Sequence, residues 1–381
     1  MGATKDLIVI GGGPCGSSCA RRAAELGLSV LLLERATFPR AKPCAAGLTD
    51  KALALLGTDA LAVQHRRFES AEIAFAGAMS LIVSCEETLV ATTTRRELDE
   101  HLMELAGRAG ATVQDSRSVD MVEEEAGAVR VRAGSDVLTA GYVVAADGAR
   151  GTTRRKLGLR PLTMGGGIYV RSRPPSGDLP EERAARLLFD PTATKRGYAW
   201  VFPKRDHLNV GIFSQRPLDA SIKEDLRSFL ELHELGQWPA EGPFAFPIPV
   251  SRPRDALGTE RVLFAGDAAG LVNPVTGEGI SSAVLSGRIA AESVAARAGW
   301  RGGTGPAADY ARGVREEVLP MTDASRRKGA LAYGLGPGLI RFLARARVTR
   351  AAIGPAWRAA TAGSESLAFR VVVPPDERRR C

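Results

Sequence analysis

Asp6-Leu7-Ile8-Val9-Ile10-Gly11-Gly12-Gly13-Pro14-Cys15-Gly16 opens a stretch that runs on to Glu34 and decides the fold. Residues 7–10 are a short apolar run of strand type, and Gly11, Gly13 and Gly16 fill a G-x-G-x-x-G spacing. That spacing makes a tight turn, lets the backbone approach a pyrophosphate, and lets the following helix pack close to the strand. The phosphate would sit on the unpaired amides of the helix start, where the dipole favours an anion. The helix is expected to run to about residue 26, where Gly27 stops it, with residues 29–33 as the second strand. Glu34 follows 18 residues after Gly16. A carboxylate there accepts hydrogen bonds from both ribose hydroxyls and repels a 2′-phosphate. Glycines alone also mark ordinary turns; with the strand before, the helix after and the acid in place, the stretch reads as an adenine-dinucleotide site.

With 381 residues, 45% of them apolar and 25% charged, the chain can bury a large core and is expected to contain more than one substructure. No run approaches the ~18 apolar residues of a membrane span, and residues 7–10 are too short for a signal-peptide core. A cytoplasmic location is expected. Cys15, Cys19, Cys44, Cys85 and Cys381 are odd in number and lack C-x-x-C spacing, which fits a reducing compartment without structural disulfides. Cys15 and Cys19 read as small helix-packing residues. The four histidines show no metal-ligand grouping, so no metal is expected. Residues 301–381 hold 15 Arg and Lys against 7 Asp and Glu, which is the whole net charge of +8. Such a tail is a solvated basic surface or a peripheral contact with anionic lipid; nucleic acid is disfavoured, because no aromatic-basic recognition module accompanies the charge.

Taken in order, residues 35–48 form a loop punctuated by Pro39, Pro43 and Gly47, and a helix resumes at about Thr49. Residues 68–91 alternate with β-formers, and Gly77 suits a hairpin. Residues 94–107 read as a helix capped by Thr94, with Leu98, Leu102 and Leu105 on one face. Arg95 in its first turn either reaches a phosphate or forms a solvated helix end. Short strands over 111–146 run into Asp147-Gly148. Residues 168–171, 185–189, 198–202 and 208–213 are strand candidates without intervening helices, so an antiparallel sheet is expected, distinct from the parallel one. Tyr198 and Trp200 share one face of their strand, lining an apolar slot or packing within the sheet. A short helix over 221–235 precedes a passage rich in proline at Pro243, Pro247, Pro249 and Pro253. Residues 261–268 repeat the first design, an apolar strand ending in Gly266-Asp267, where open α/β sheets bind ligands. Gly277 and Gly279 then lead into a helix over 280–298, a second helix start with free amides. The tail reads as helical and irregular; Leu339 and Leu343 lie on one helical face and Arg341 and Arg345 nearly opposite, with Arg347 and Arg350 beyond, an interfacial pattern.

The glycine turn with Glu34, the strand-end Asp147-Gly148, and Gly266-Asp267 with its helix together resemble the FAD-dependent oxidoreductases of the p-hydroxybenzoate hydroxylase group. Within it, Phe38-Pro39-Arg40-Ala41-Lys42-Pro43-Cys44, Tyr198-Ala199-Trp200-Val201-Phe202-Pro203-Lys204 and the run from Gly266 to Gly279 resemble the geranylgeranyl reductase family, over about residues 5–300. The resemblance implies an α/β protein: a Rossmann-like FAD-binding domain (residues 1–67, 92–160 and 255–300), an inserted antiparallel-sheet substrate domain (68–91 and 161–254) and a basic helical C-terminal region (301–381). It implies that Glu34 holds the adenosine ribose, that Arg95 approaches the phosphates and that Asp267 bonds the ribityl chain, with Gly277 and Gly279 near the flavin ring. Reduction of double bonds in a polyprenyl chain is then the implied activity. Cys44 is the first candidate for proton donor or substrate positioning, against a small loop thiol. There are two departures from the family pattern: Ala45 and Ala46 replace a run of glycines, and Gly151 replaces a serine common after Asp-Gly. With one glycine fingerprint, NADPH or another reductant would dock transiently on the flavin domain. The competing readings are a flavin monooxygenase of aromatic or polyketide substrates, a flavin halogenase, whose Trp-x-Trp-x-Ile-Pro signature is met only in part, and a non-catalytic isoprenoid carrier.

Overall fold

The structure, a computed structural model, describes residues 4–75, 80–251, 257–297, 305–323 and 368–372. Strand Lys5–Ile10 lies inside a mixed sheet, parallel to Val30–Leu33 on one side and to Asp136–Ala145 on the other. Leu7, Ile8 and Val9 are wholly buried, as an apolar run in a parallel sheet covered on both faces should be. Asp136–Ala145 changes partner along its length. Its first half pairs antiparallel with Ala128–Ala133, while its second half pairs in parallel with Val262–Phe264. That switch brings the carboxyl ends of three parallel strands, at Ile10, Ala145 and Phe264, to one edge of the sheet. Pro14–Glu25 returns across the sheet as the first helix, with Pro14 at its opening position, where a missing amide costs nothing. Arg95–Arg108 and Ile280–Ala295 pack against it. A Cβ at Gly287 would lie 2.3 Å from the Cys15 carbonyl oxygen, so two helix backbones meet there. Cys15 and Cys19 are buried, and burial pushes the Cys15 thiol up to about 12, as inert packing residues require.

The second sheet runs in the order Ala240–Pro249, Met164–Ser172, Leu208–Ser214, Gly197–Pro203, Leu188–Asp190, Ser70–Ala74, Ser80–Ser84, Ala368–Val372. Its pairings are antiparallel except for Leu188–Asp190 with Ser70–Ala74. Three details differ from the sequence reading. Strand Leu188–Asp190 starts later than expected, with Ala185 ending the short helix Glu181–Ala184. The proline-rich passage is a strand, Ala240–Pro249, and it pairs on one side only, with Met164–Ser172. On a sheet edge the missing amides of Pro243, Pro247 and Pro249 can face away from the ladder. At the other end of the order, the tail supplies strand Ala368–Val372, paired antiparallel with Ser80–Ser84, where only helix and irregular chain were expected. Gly77 and the amphipathic pattern over 339–350 lie outside the described residues.

Helix Ala220–Leu232, capped by the Asp219 carboxylate, covers one face of this sheet with Ile222, Leu226 and Phe229 against Val210 and Ile212. Trp200, Phe202, Phe213 and Tyr169 form a separate aromatic cluster with Phe68 and Val272. A small third sheet of Gly47–Thr49, Val90–Thr92 and Arg66–Phe68 lies beside that cluster, Phe202 packing on Gly47. No helix among the described residues is long and apolar enough to cross a membrane.

Candidate cofactor and substrate site

Gly11 has φ +107°, and a Cβ there would lie 2.4 Å from the Ala146 carbonyl oxygen; the turn and the neighbouring strand together admit only glycine. Gly16 is equally constrained, its Cβ position falling 1.8 Å from the Gly11 oxygen. Gly13 caps the first helix without a side-chain cap, leaving the first-turn amides for a ligand. Beside Gly13 the space is faced by Arg95 and Arg40, whose guanidinium nitrogens lie 3.6 and 3.7 Å from its Cβ position. Glu34 is 6% exposed and accepts hydrogen bonds from the amides of Gly12, at 2.8 Å, and Ala36, at 2.9 Å. Each carboxylate oxygen keeps a further lone pair for a ribose hydroxyl.

Arg95 is buried, which excludes the solvated helix end. Its guanidinium grips Asp99 with two bonds of 2.7 and 2.8 Å, and Arg40 reaches the same carboxylate at 2.9 Å. Burial works against the charge, but the paired Asp99 outweighs it and holds the Arg95 guanidinium above its ordinary value. Arg40 and Asp99 were not singled out from the sequence. The Arg95 to Asp99 spacing, one helical turn, was the signal that could have found Asp99.

Asp147 and Gly148 follow the end of strand Asp136–Ala145, with Asp147 against the Gly11 turn. Asp147 Oδ2 accepts from the Thr153 amide at 3.0 Å, while Oδ1 is buried with no partner among the described residues. A Cβ at Gly151 would sit 2.2 Å from the Asp147 carboxylate, so the replacement of serine by glycine is what admits this side-chain position. Gly266, at φ +58°, packs on Cys15. Asp267 lies 3.7 Å from Lys42 Nζ and close to Gly279, which caps helix Ile280–Ala295. The second helix start is less open than its sequence implies, because Glu278 accepts from the Ser281 amide at 2.8 Å. Gly277, at φ +67°, rests against the Phe213 ring. Bare helix-start amides with Arg95 and Arg40 beside them, Glu34 bonded to the glycine turn, Asp267 just beyond strand Val262–Phe264, and the orphaned Asp147 oxygen gather at one edge of the first sheet: this donor set fits an adenine dinucleotide bearing a flavin.

Cys44 occupies a segment fastened from the second sheet. The Cys44 carbonyl accepts from Asn209 Nδ2 at 3.2 Å, and Lys204 Nζ donates to the carbonyls of Ala45, at 2.6 Å, and Ala46, at 3.1 Å. Ala46 has φ +49°, the left-handed conformation that favours glycine, so the bend survives the loss of the family's glycines. The Thr93 amide also donates to the Ala46 carbonyl, and the Ala46 amide donates to Cys44 Sγ at 3.3 Å. Lys204 is 1% exposed, and burial pushes its ammonium down to about 7. Lys204 and Asn209 were not assigned roles from the sequence.

Tyr198 and Trp200 share a face, with ring centroids 6.2 Å apart. Trp200 is 2% exposed and donates from Nε1 to Asn209 Oδ1 at 2.8 Å, so it packs in the aromatic core and orients the side chain that holds Cys44. Tyr198 is half-buried and donates to the Thr276 carbonyl at 2.5 Å, which ties the sheet to the loop before Gly277.

Residues 4–297 match the protein family described as FAD binding domain. Digeranylgeranylglycerophospholipid reductase 1 of Methanopyrus kandleri is 34% identical over 308 residues, 75% of this chain and 79% of that protein. A menaquinone reductase of Mycolicibacterium smegmatis is 30% identical over 315 residues, 77% of this chain and 76% of that protein. Among solved structures, a geranylgeranyl bacteriochlorophyll reductase-like protein of Thermoplasma acidophilum superposes with a TM-score of 0.77 at 24% identity, covering 93% of this chain and 95% of that one. With its glycine turn, Asp147-Gly148 and Gly266-Asp267 gathered on one crevice, the chain belongs to the geranylgeranyl reductase family of FAD-dependent oxidoreductases.

Proposed function

We propose that this enzyme hydrogenates carbon–carbon double bonds of a polyprenyl lipid or isoprenoid chain. Bound FAD supplies the two-electron hydride chemistry that side chains lack. The observation that carries the reading is the Cys44 segment, fixed by Lys204 and Asn209 between the cofactor groove and the aromatic cluster around Phe202. In this reading the backbone at Gly11 to Gly16 takes the phosphates, with Arg95 and Arg40 neutralising them. Glu34 takes the ribose hydroxyls and Asp267 the ribityl chain. An unactivated alkene needs a proton at one carbon as hydride reaches the other, and Cys44 Sγ is the group assigned to hold that proton. Cys44 lines one cavity with Arg95 and Lys204, and their positive charge would offset the charge left on sulfur. NADPH, or another reductant, restores the reduced cofactor by docking transiently, and Asp147 and Gly148 border the place where it would approach. The names of the relatives, a phospholipid reductase and a menaquinone reductase, favour a prenyl-bearing substrate.

Anaerobic incubation of the reduced holoprotein with a panel of polyprenyl lipids tests this, read as a mass gain of two for each bond reduced. An oxygenated product formed only in air would replace the reading with the monooxygenase alternative.

A further inference from the structure

The hairpin that joins Gly197–Pro203 to Leu208–Ser214 is closed by the Lys204 amide, which donates to the His207 carbonyl at 2.8 Å. Two neighbouring side chains at its tip meet different surroundings. Asp206 is exposed to solvent, whereas His207 is 6% exposed and lines the cavity that Cys44 also lines. His207 Nδ1 lies 2.8 Å from Asp206 Oδ1. Burial works against the Asp206 charge, but bonds from Arg173 and His207 outweigh it and bring the carboxyl down to about 2. Asp206 therefore stays ionised and can only accept, which puts the proton of the neutral ring on Nδ1. Nε2 keeps its lone pair, with no hydrogen bond to a described residue.

At rest the ring is held neutral. Burial lowers its proton affinity against the pull of Asp206, and Lys204 and Arg173 add to the lowering. The other charged side chains on the cavity wall, Lys42, Arg95, Arg96 and Arg171, are cations as well. In the proposed function Cys44 gives its proton to an alkene carbon, the S–H bond breaking as the C–H bond forms, and a thiolate remains. The next turnover needs that proton back from solvent. A thiolate is an anion on the wall of the same cavity, so it raises the proton affinity of His207 while sulfur lacks its proton and ceases to do so once the thiol is restored.

We propose that His207 is the relay that reprotonates Cys44: Nε2 takes a proton from a solvent acid, Asp206 steadies the imidazolium through Nδ1, and Nε2 passes the proton to the thiolate. The inference rests on the role given to Cys44 and adds the group that resets it.

The first test needs no substrate. Cys44→Asp places a carboxylate where the thiolate would form, and Cys44→Ser places a neutral group there. Of the four histidines, His207 is identified by the resonance lost in His207→Gln. In NMR titrations of the FAD-loaded variants its midpoint should lie about one unit higher in Cys44→Asp than in Cys44→Ser. Equal midpoints would overturn the proposal whether or not a prenyl compound is reduced. The second test is steady-state turnover of a prenyl substrate. His207→Ala should lower kcat about tenfold with little change in KM, and added imidazole should restore most of the loss by entering the space the ring leaves. An unchanged kcat, or a loss that imidazole leaves untouched, would make His207 a packing residue and overturn the relay. A shifted midpoint in a protein that reduces no prenyl compound would keep the coupling of His207 to position 44 and overturn the prenyl reading instead.

Discussion

At Glu34 the backbone holds a side chain; at Cys44 side chains hold the backbone. The Glu34 carboxylate is fixed by the amides of Gly12 and Ala36, so its orientation follows from the strand, turn and strand of one continuous stretch. Cys44, ten residues later, takes its geometry from Asn209 and Lys204, more than 150 residues away in sequence. The first arrangement is a general device for a dinucleotide. In the proposed function the second belongs to the particular reaction, because moving the second sheet moves the thiol's backbone while the Glu34 carboxylate stays in place.

The contrast breaks most sharply at the thiol. Cys44→Ala should retain FAD and lose alkene reduction by ~10²–10⁴-fold, the usual weight of a general acid, measured as kcat with the flavin content confirmed by absorbance. A loss below about threefold would return Cys44 to a loop thiol. Removing the acceptors on the cofactor side should do the opposite. Glu34→Ala and Asp267→Ala each delete an acceptor that the proposed function gives to a ligand hydroxyl, worth about 1–3 kcal/mol, so FAD should dissociate roughly ten- to a hundredfold more readily. Equilibrium dialysis of the two variants checks this, and unchanged retention in both would remove the groove assignment.

Lys204→Met keeps the buried stem but releases two carbonyls, and turnover should fall about tenfold with FAD retained. A second signature follows from its proton affinity, which burial lowers from an ordinary lysine value to about 7. Between that value and the ordinary one, the unfolded chain binds a proton that the folded chain does not, so wild-type stability should rise with pH from 7 to 9 relative to Lys204→Met. Thermal melts of the two proteins across that range read the difference; parallel curves would show that the ammonium carries no such penalty. The smallest effect is expected at Ala46. Ala46→Gly relieves the left-handed backbone but adds unfolded-state entropy, so the net gain should stay within about 1 kcal/mol, read as midpoint shift in urea. A clear loss of stability would show that the alanine methyl packs favourably despite its conformation.

What the sequence made legible was local. Gly11, Gly13, Gly16 and Glu34 sit in one supersecondary unit, and Thr94 and the apolar face of Leu98 and Leu102 follow helical spacing. Asp267 was readable because strand Val262–Phe264 repeats the form of the first strand. Lys204 and Asn209 were not readable, since nothing near them states that a loop 160 residues earlier presents three carbonyls; the separations are 159 and 165 residues. The edge strand Ala240–Pro249 was hidden by its prolines, which argue against a central strand and are silent about an edge. Ala368–Val372 is an apolar run interrupted by Arg370 and too short to separate from irregular chain, and its pairing with Ser80–Ser84 is what defines it.

In the proposed function the electrons leave the flavin for a double bond and not for oxygen. Mixing anaerobically reduced holoprotein with a stoichiometric prenyl diphosphate, and following flavin absorbance alongside product mass, tests it most directly. The flavin should reoxidise without oxygen, with one double bond saturated for each flavin oxidised. A flavin that stays reduced until air is admitted, followed by a product that has gained oxygen, would contradict it.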